Sequence, residues 1–249
     1  MYNDLLKIGP FTIHGYGLMI AIGVIVGMLI GEKRAKKRGL NPNEIDNIAI
    51  ICAILGFACG KVLFCIVEWR NFIQDPLSVM GGNGFVVYGG IIGGILLTYL
   101  WCRLRKLSFI EYADVAFPSV ALAQGFGRIG CFLAGCCYGR KTDSAFGVVF
   151  THSDFAPNGV KLIPTQLISS AGMFLIAAFL FWFAGKPRKQ GSVSAWYLIL
   201  YSIGRFSVEF LRDDYRGGVG RLSTSQFISA FVLIAGIVAL IWSSRKEPE

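Results

Sequence analysis

Seven apolar runs divide this chain, at about 14–31, 48–67, 86–102, 113–134, 165–184, 193–212 and 224–243. At about 1.5 Å of helix rise per residue, runs of this length cross or nearly cross a hydrocarbon layer ~30 Å thick. In hydrocarbon each backbone N–H and C=O must be bonded within the chain, so such runs become helices. The predicted fold class is therefore all-α: a polytopic bundle of seven transmembrane helices, forming one integral membrane domain over 1–249. Composition agrees, since 54% of the 249 residues are hydrophobic and the mean hydropathy is +0.59, values unusual for a soluble domain. The third run is short and rich in glycine, which predicts a tilted or partly re-entrant helix. The fourth is the least apolar, and a break is expected near Pro118 or Gly125. Asp4 precedes Lys7, and no basic start leads into a short apolar core with a cleavage site. The first run is therefore expected to stay as a transmembrane helix.

The formal charge of +9 does not point to a nucleic-acid partner, because the basic residues sit in short connectors. Lys33, Arg34, Lys36, Lys37 and Arg38 follow the first run; Arg103, Arg105 and Lys106 follow the third; Lys186, Arg188 and Lys189 follow the fifth; Arg245 and Lys246 end the chain. The other connectors are mixed, with Glu68, Arg70 and Asp75, then Arg140, Lys141, Asp143, Asp154 and Lys161, then Asp213, Asp214, Arg216 and Arg221. The positive-inside rule then predicts an outside N-terminus and a cytoplasmic C-terminus, as an odd number of spans requires. Basic residues at the membrane surface also suit anionic lipid headgroups, so membrane lipids are the expected surroundings. The longest connector, about 138–163, falls on the outer face. Pro157, Asn158 and Gly159 mark turns within it, and its length suits a cap or lid over a site on that face. There is no internal repeat and no low-complexity segment.

Ionisable residues inside apolar runs are functional candidates. They are Lys61, Arg128, Arg205 and Glu209, with Arg212 near the end of its run. Tyr201, Arg205, Glu209 and Arg212 fall at i, i+4, i+8 and i+11, on one face of a continuous helix. Glu209 can pair with either arginine. Two arginines against one glutamate leave positive charge for an anionic phosphate. Arg128 has no acid within a turn, and its planar fork of donors matches phosphate oxygens. Gly125, Gly127 and Gly130 around it suit either helix packing or the approach of a headgroup. Lys61 has three outlets: a pair with Glu209, a lipid phosphate, or the interface by snorkelling. Tyr88-Gly89-Gly90 at the start of the third run reads as helix packing beside an interfacial tyrosine, or as the lining of a headgroup pocket. The same choice applies to His14-Gly15-Tyr16, which holds one of two histidines.

Of seven cysteines, Cys52, Cys59, Cys65 and Cys102 lie in apolar runs as small hydrophobes. Cys131, Cys136 and Cys137 form C-x4-C-C. That is not the C-x2-C spacing of zinc sites, and no partner pair follows, so no metal ligands are expected. A disulfide or redox role stays open.

The order of motifs resembles that of the prolipoprotein diacylglyceryl transferase family. Residues 8–19 read Ile-Gly-Pro-Phe-Thr-Ile-His-Gly-Tyr-Gly-Leu-Met; Asp114 leads to Gly127-Arg-Ile-Gly130; Pro164-Thr-Gln166, Gly191-Ser-Val-Ser194 and the segment from Tyr201 to Arg212 follow in order. The resemblance covers nearly the whole chain. It implies seven transmembrane helices in the bacterial cell membrane, with the site toward the outer leaflet. It implies transfer of diacylglyceryl from phosphatidylglycerol to the lipobox cysteine of a prolipoprotein signal peptide, releasing glycerol 1-phosphate, with no cofactor. Arg128 and Arg205 are then expected to bind and polarise the phosphate. Tyr16, Gly89, Gly90, Gly139, Tyr201, Glu209 and Arg212 are the expected substrate-binding residues. Two departures stand out. The family's His-Gly-Gly is here Tyr88-Gly89-Gly90, and its Gly-Asn-Phe-x-Asn is Gly130-Cys131-Phe132-Leu133-Ala134.

The missing histidine does not remove the chemistry. A thiol of pKa about 8.5 is already a few per cent thiolate near neutrality, and nearby arginines favour that form. His14 or Tyr88 is expected to stand in as the proton acceptor. Two other readings compete with this one. One is a paralogue with the same fold and lipid donor but another acceptor, using Cys131 or Cys136 covalently. The other is a transporter or lipid-binding protein, disfavoured by the asymmetric arginines and the lack of paired broken helices.

Overall fold

A computed structural model describes residues 4–8, 11–82, 84–214, 217–220 and 222–245. Gly9, Pro10, Arg216, Arg221 and Lys246, cited above, lie outside the described residues. The elements in order are β1 (Asp4–Ile8), β2 (Phe11–His14), α1 (Gly15–Lys37), α2 (Asn43–Val67), α3 (Trp69–Gln74), α4 (Pro76–Gly81), α5 (Val87–Leu104), α6 (Phe109–Ala134), β3 (Val148–Val149), β4 (Lys161–Leu162), α7 (Thr165–Phe183), α8 (Ser192–Glu209), β5 (Gly218–Val219), β6 (Leu222–Ser223) and α9 (Thr224–Arg245). Each apolar run carries one long helix. Among the described residues five of these, α1, α2, α5, α7 and α9, are long and apolar enough to cross a membrane. The other two, α6 and α8, carry Arg128, Arg205 and Glu209.

The strands pair as three separate antiparallel ribbons, β1–β2, β3–β4 and β5–β6. Hydrophobic periodicity did not indicate them, because elements of two to five residues carry too few alternations to register. The helix α6 runs unbroken through Pro118, contrary to the expected break. Proline deletes a single N–H bond, and Pro118 is fully buried where its neighbours hold the helix in line.

The chain divides into two compact units, Met1–Ile30 with Ala113–Glu249, and Gly31–Tyr112. In the second, α2 and α5 pack with little between them. A Cβ on Gly89 would stand 2.6 Å from Leu63 Cβ and 2.8 Å from the Cys59 carbonyl. Glu44 is buried near the start of α2; it accepts from Trp101 Nε1 at 2.8 Å and Asn47 Nδ2 at 3.1 Å, and pairs with Arg105 at 3.2 Å. Lys61 has partners that its sequence context does not show. Its Nζ donates to the carbonyls of Gly82 and Gly84, at 2.7 and 3.1 Å, and lies 5.1 Å from the Phe64 ring centroid. Main-chain oxygens, which charge counting along the sequence ignores, satisfy this ammonium.

The first unit has its core between α6, α7 and α8, formed by Ala121, Met173, Ala177, Leu180, Val193 and Tyr197. Phe117 stacks on Tyr197 at 4.4 Å, and Tyr197 stacks on Tyr201 at 5.7 Å. Outward-facing apolar side chains, such as Phe231, Ile234 and Val238 on α9, are exposed as lipid-facing residues would be. The polar anchor of this unit is Asp114, only 2% exposed. Its carboxylate accepts from the backbone N–H of Gly191 at 2.7 Å and of Ser194 at 2.8 Å, and from the Ser194 hydroxyl. A helix start leaves N–H groups unbonded, and here a side chain from another helix satisfies them. Gly191 takes φ +87°, which allows the tight entry into α8. Asp114→Ala should lower stability by about 1.5–3 kcal/mol, the usual loss for hydrogen bonds to a charged group. Thermal unfolding in detergent measures it, and an unchanged midpoint would remove Asp114 from this role.

Candidate active site

The site is built in the first unit, from the ends of α1, α6 and α8 and the connector that follows α6. On α6 the segment Gly127-Arg128-Ile129-Gly130 passes under the first turn of α1. A Cβ on Gly130 would meet the Tyr16 carbonyl at 3.0 Å and the Tyr16 ring at 3.2 Å. That close approach lays Tyr16 beside α6, where it interacts electrostatically with Arg128, Cys131, Cys136 and Cys137. Arg128 itself is half-buried, and makes no hydrogen bond or ion pair among the described residues.

Arg205 stands within electrostatic reach of Arg128 and Arg212. One guanidinium nitrogen pairs with Glu209 Oε2 at 2.6 Å, and the other donates to Ser225 Oγ on α9 at 2.6 Å. Both side chains are largely buried, at 13% and 8% exposure. In this low-dielectric setting the contact keeps Arg205 charged and aimed.

The polar face of α8 is shorter than the spacing predicted. The helix ends at Glu209, and Arg212 lies in the turn beyond it. From there its Nε comes to 3.8 Å from Glu209, while its fork grips Asp214 at 2.9 and 2.6 Å. Two carboxylates thus face Arg205 and Arg212, so the excess positive charge expected of this face rests with Arg128. Asp214 was assigned only to a connector; its place two residues from Arg212 was the available signal. Ser225 had none, because only the packing of α8 on α9 brings it to Arg205.

Gly139 holds the connector in place. It bridges to Arg212, its N–H donates to the Ile163 carbonyl at 3.2 Å, and the Arg140 N–H donates to the Leu211 carbonyl at 2.9 Å. A Cβ there would meet Ile163 O at 2.6 Å and Leu211 O at 2.8 Å, both main-chain atoms that cannot swing away. Beyond it the connector folds over its own small core of Phe150, Ala156 and Leu162, backed by Phe132, Tyr138 and Val160.

His14 is exposed at the end of β2 and its Nδ1 lies 2.7 Å from Asp4 Oδ1. Tyr88, Gly89 and Gly90 belong to the second unit, where Gly89 abuts Cys59, Gly60 and Leu63, and Gly90 abuts Gly56. Hydrogen bonding with Cys131 and Cys137, then burial, push the Cys136 thiol pKa up.

A family model described as prolipoprotein diacylglyceryl transferase matches residues 3–242. The chain belongs to that family. A phosphatidylglycerol–prolipoprotein diacylglyceryl transferase of Clostridium tetani is 50% identical over 234 residues, covering 94% of each chain. A second protein, named phosphatidylglycerol–prolipoprotein diacylglyceryl transferase 2, from Clostridium perfringens, is also 50% identical over 234 residues, or 93% of this chain and 91% of its own. The Clostridioides difficile transferase is 35% identical over 244 residues, 95% of each. This diacylglyceryl transferase family member carries Arg128 and Arg205 on α6 and α8, the two long helices outside the five apolar enough to cross a membrane.

Glu209→Ala leaves Arg205 and Arg212 sharing one fewer carboxylate in a largely buried place. It should cost about 3–5 kcal/mol, the usual loss when one partner of a buried pair is removed. Replacing Arg205 as well, by Met, should recover part of that loss. Unfolding of the single and double variants in detergent reads the difference, and equal stability of wild type and Glu209→Ala would deny the pair.

Proposed function

We propose that this chain transfers the diacylglyceryl group of phosphatidylglycerol to the lipobox cysteine thiol of a prolipoprotein signal peptide, releasing glycerol 1-phosphate. The observation that carries the site assignment is the approach of Arg128 to Arg205, with carboxylates serving Arg205 and Arg212 and none serving Arg128. A half-buried guanidinium within electrostatic reach of a second one is a place for a diester phosphate.

In the step proposed, the acceptor thiolate attacks the glyceryl carbon that carries the phosphate oxygen. A C–S bond forms as the C–O bond breaks, and the electron pair leaves on the phosphate. Arg128 and Arg205 stabilise the charge gathering there, a preorganised electrostatic role. Glu209 and Ser225 hold Arg205 in place, so little reorganisation accompanies the reaction. Tyr16, Tyr201 and Gly139 bound the space around the lipid, while Glu209 and Arg212 set its charge. The thiol proton passes to a base. His14 is proposed for this, since donation from Nδ1 to Asp4 would leave Nε2 basic. Tyr88, with Gly89 and Gly90 beside it, is proposed as the other candidate on the motif resemblance alone.

We also infer one integral membrane domain of seven spans, with the N-terminus outside and the site toward the outer leaflet beneath the 138–163 cap. The alternation of basic and mixed connectors supports it, as does the inward pairing of the charges on α6 and α8.

Purified protein, supplied with phosphatidylglycerol vesicles and a lipobox peptide, should yield a thioether-linked diacylglyceryl peptide by mass spectrometry. Folded wild type that transfers nothing would refute the activity. Arg128→Lys, which keeps charge but loses the fork, should reduce kcat/KM by about 10²–10³. Full activity in Arg128→Ala would remove that residue from the site. His14→Ala and Tyr88→Phe should separate the two bases by which variant loses more of kcat/KM.

A further inference from the structure

Three cysteines are left over by this chemistry. The Sγ atoms of Cys131, Cys136 and Cys137 all lie within 4.8 Å of one another. None of the seven cysteines, all of them described, forms a disulfide.

The convergence is built by the backbone. Cys131 lies on the last turns of α6, which ends at Ala134. The chain then reverses through two left-handed residues, Gly135 at φ +77° and Cys137 at φ +63°. A left-handed cysteine is strained unless its surroundings hold it there. Here Thr165 Oγ1 donates to the Cys137 carbonyl at 2.8 Å, and Gln166 Nε2 donates to the Cys136 carbonyl at 2.7 Å. Both donors are 1% exposed, at the start of α7. With its carbonyls tied to α7 and the Cys136 N–H donating to the Cys131 carbonyl at 3.2 Å, the vicinal pair folds back onto Cys131. The spacing C-x4-C-C conceals this, because ligand-spacing rules assume a simple turn between the pairs.

Three sulfurs bound to one ion at about 2.3 Å stand roughly 3.8–4.0 Å from each other. The thiols here need to contract by less than about 1 Å to reach that arrangement. The metal-ligand cluster contains no carboxylate and no imidazole among the described residues, so the donor set is soft throughout. Soft thiolates select d¹⁰ cations and reject magnesium and calcium. Cys137 is buried, while Cys131 and Cys136 are half-buried, so an ion has a way in. The positive Arg128 interacts with Cys131 and offsets part of the charge that thiolates bring.

We propose that Cys131, Cys136 and Cys137 form a three-thiolate site for a soft d¹⁰ cation, Cu(I) or Zn(II). Binding expels the thiol protons and joins the end of α6 to the root of the connector. Cu(I) is satisfied by three sulfurs. Zn(II) completes a tetrahedron with water in the open position. Bound beside Tyr16, the ion stiffens the wall of the candidate active site without taking part in transfer.

The test uses full-length, reduced protein in detergent, titrated separately with Co(II) as the spectroscopic stand-in for Zn(II), with Zn(II), and with Cu(I) against a competing chelator. One ion per chain is expected in at least one arm. Co(II) should give intense sulfur-to-metal absorption in the near ultraviolet, lost on adding Zn(II), whereas binding in the Cu(I) arm alone assigns the site to copper. Cys131→Ser or Cys137→Ser should weaken binding by about 100-fold or more, while Cys102→Ser leaves it unchanged. If a serine variant fails to fold, alkylation of the wild type decides the matter: the ion should protect these three cysteines together, leaving Cys52 as reactive as before. Equal binding by wild type and the triple serine variant, no binding in any arm, or a Cys131–Cys136 disulfide that persists under reducing conditions would each overturn the site.

Discussion

A guanidinium in a low-dielectric interior has to be neutralised, and much of the first unit follows from how that is done. Arg205 meets Glu209 one turn away on α8 and Ser225 on α9. Arg212, displaced past the end of the helix, is gripped by Asp214. These contacts use the carboxylates near the site, and Arg128 is left with electrostatic neighbours but no carboxylate among the described residues. The imbalance is what supports the proposal that the two arginines receive an anion alongside the ion pairs of α8 and the turn beyond it. It also fits the absence of α6 and α8 from the five helices apolar enough to cross a membrane: Asp114, Arg205 and Glu209 have partners inside the protein.

The same accounting governs the backbone. Asp114 closes the start of α8, and Gly139 lets the connector run between Ile163 and Leu211 with main-chain bonds on both sides. In the second unit Lys61 closes the carbonyls of Gly82 and Gly84. Among the described residues, polar side chains repeatedly serve main-chain groups. Apolar surroundings make each unmet N–H or C=O expensive.

The positions of the seven long helices were legible in the sequence because hydrophobicity is local: a run of twenty apolar residues forms a helix whatever it packs against. Arg128, Arg205 and Glu209 were legible for the related reason that charge within such a run needs a purpose. Other features were not. The extent of the α8 face was overestimated, since periodicity says nothing of where a helix stops. The bonds of Lys61 to the Gly82 and Gly84 carbonyls are invisible in the sequence because main-chain oxygens carry no residue signal. The ribbons were too short to register, and the close packing of Gly89 on Cys59 and Gly60 depends on where α2 lies, which the glycines of the third run do not reveal by themselves.

The clearest division lies within residues 125–139. The sequence alone determined that a helix ends there, that an arginine near its end is out of place in hydrocarbon, and that the family motif is interrupted by cysteine. Local composition decides such things. Only the tertiary structure decided that Arg128 comes within electrostatic reach of Arg205, that Tyr16 lies against Gly130, and that three thiols converge. Those outcomes depend on α1, α7 and α8 arriving from distant parts of the chain, and on Thr165 and Gln166 holding a turn that the local sequence would not adopt by itself.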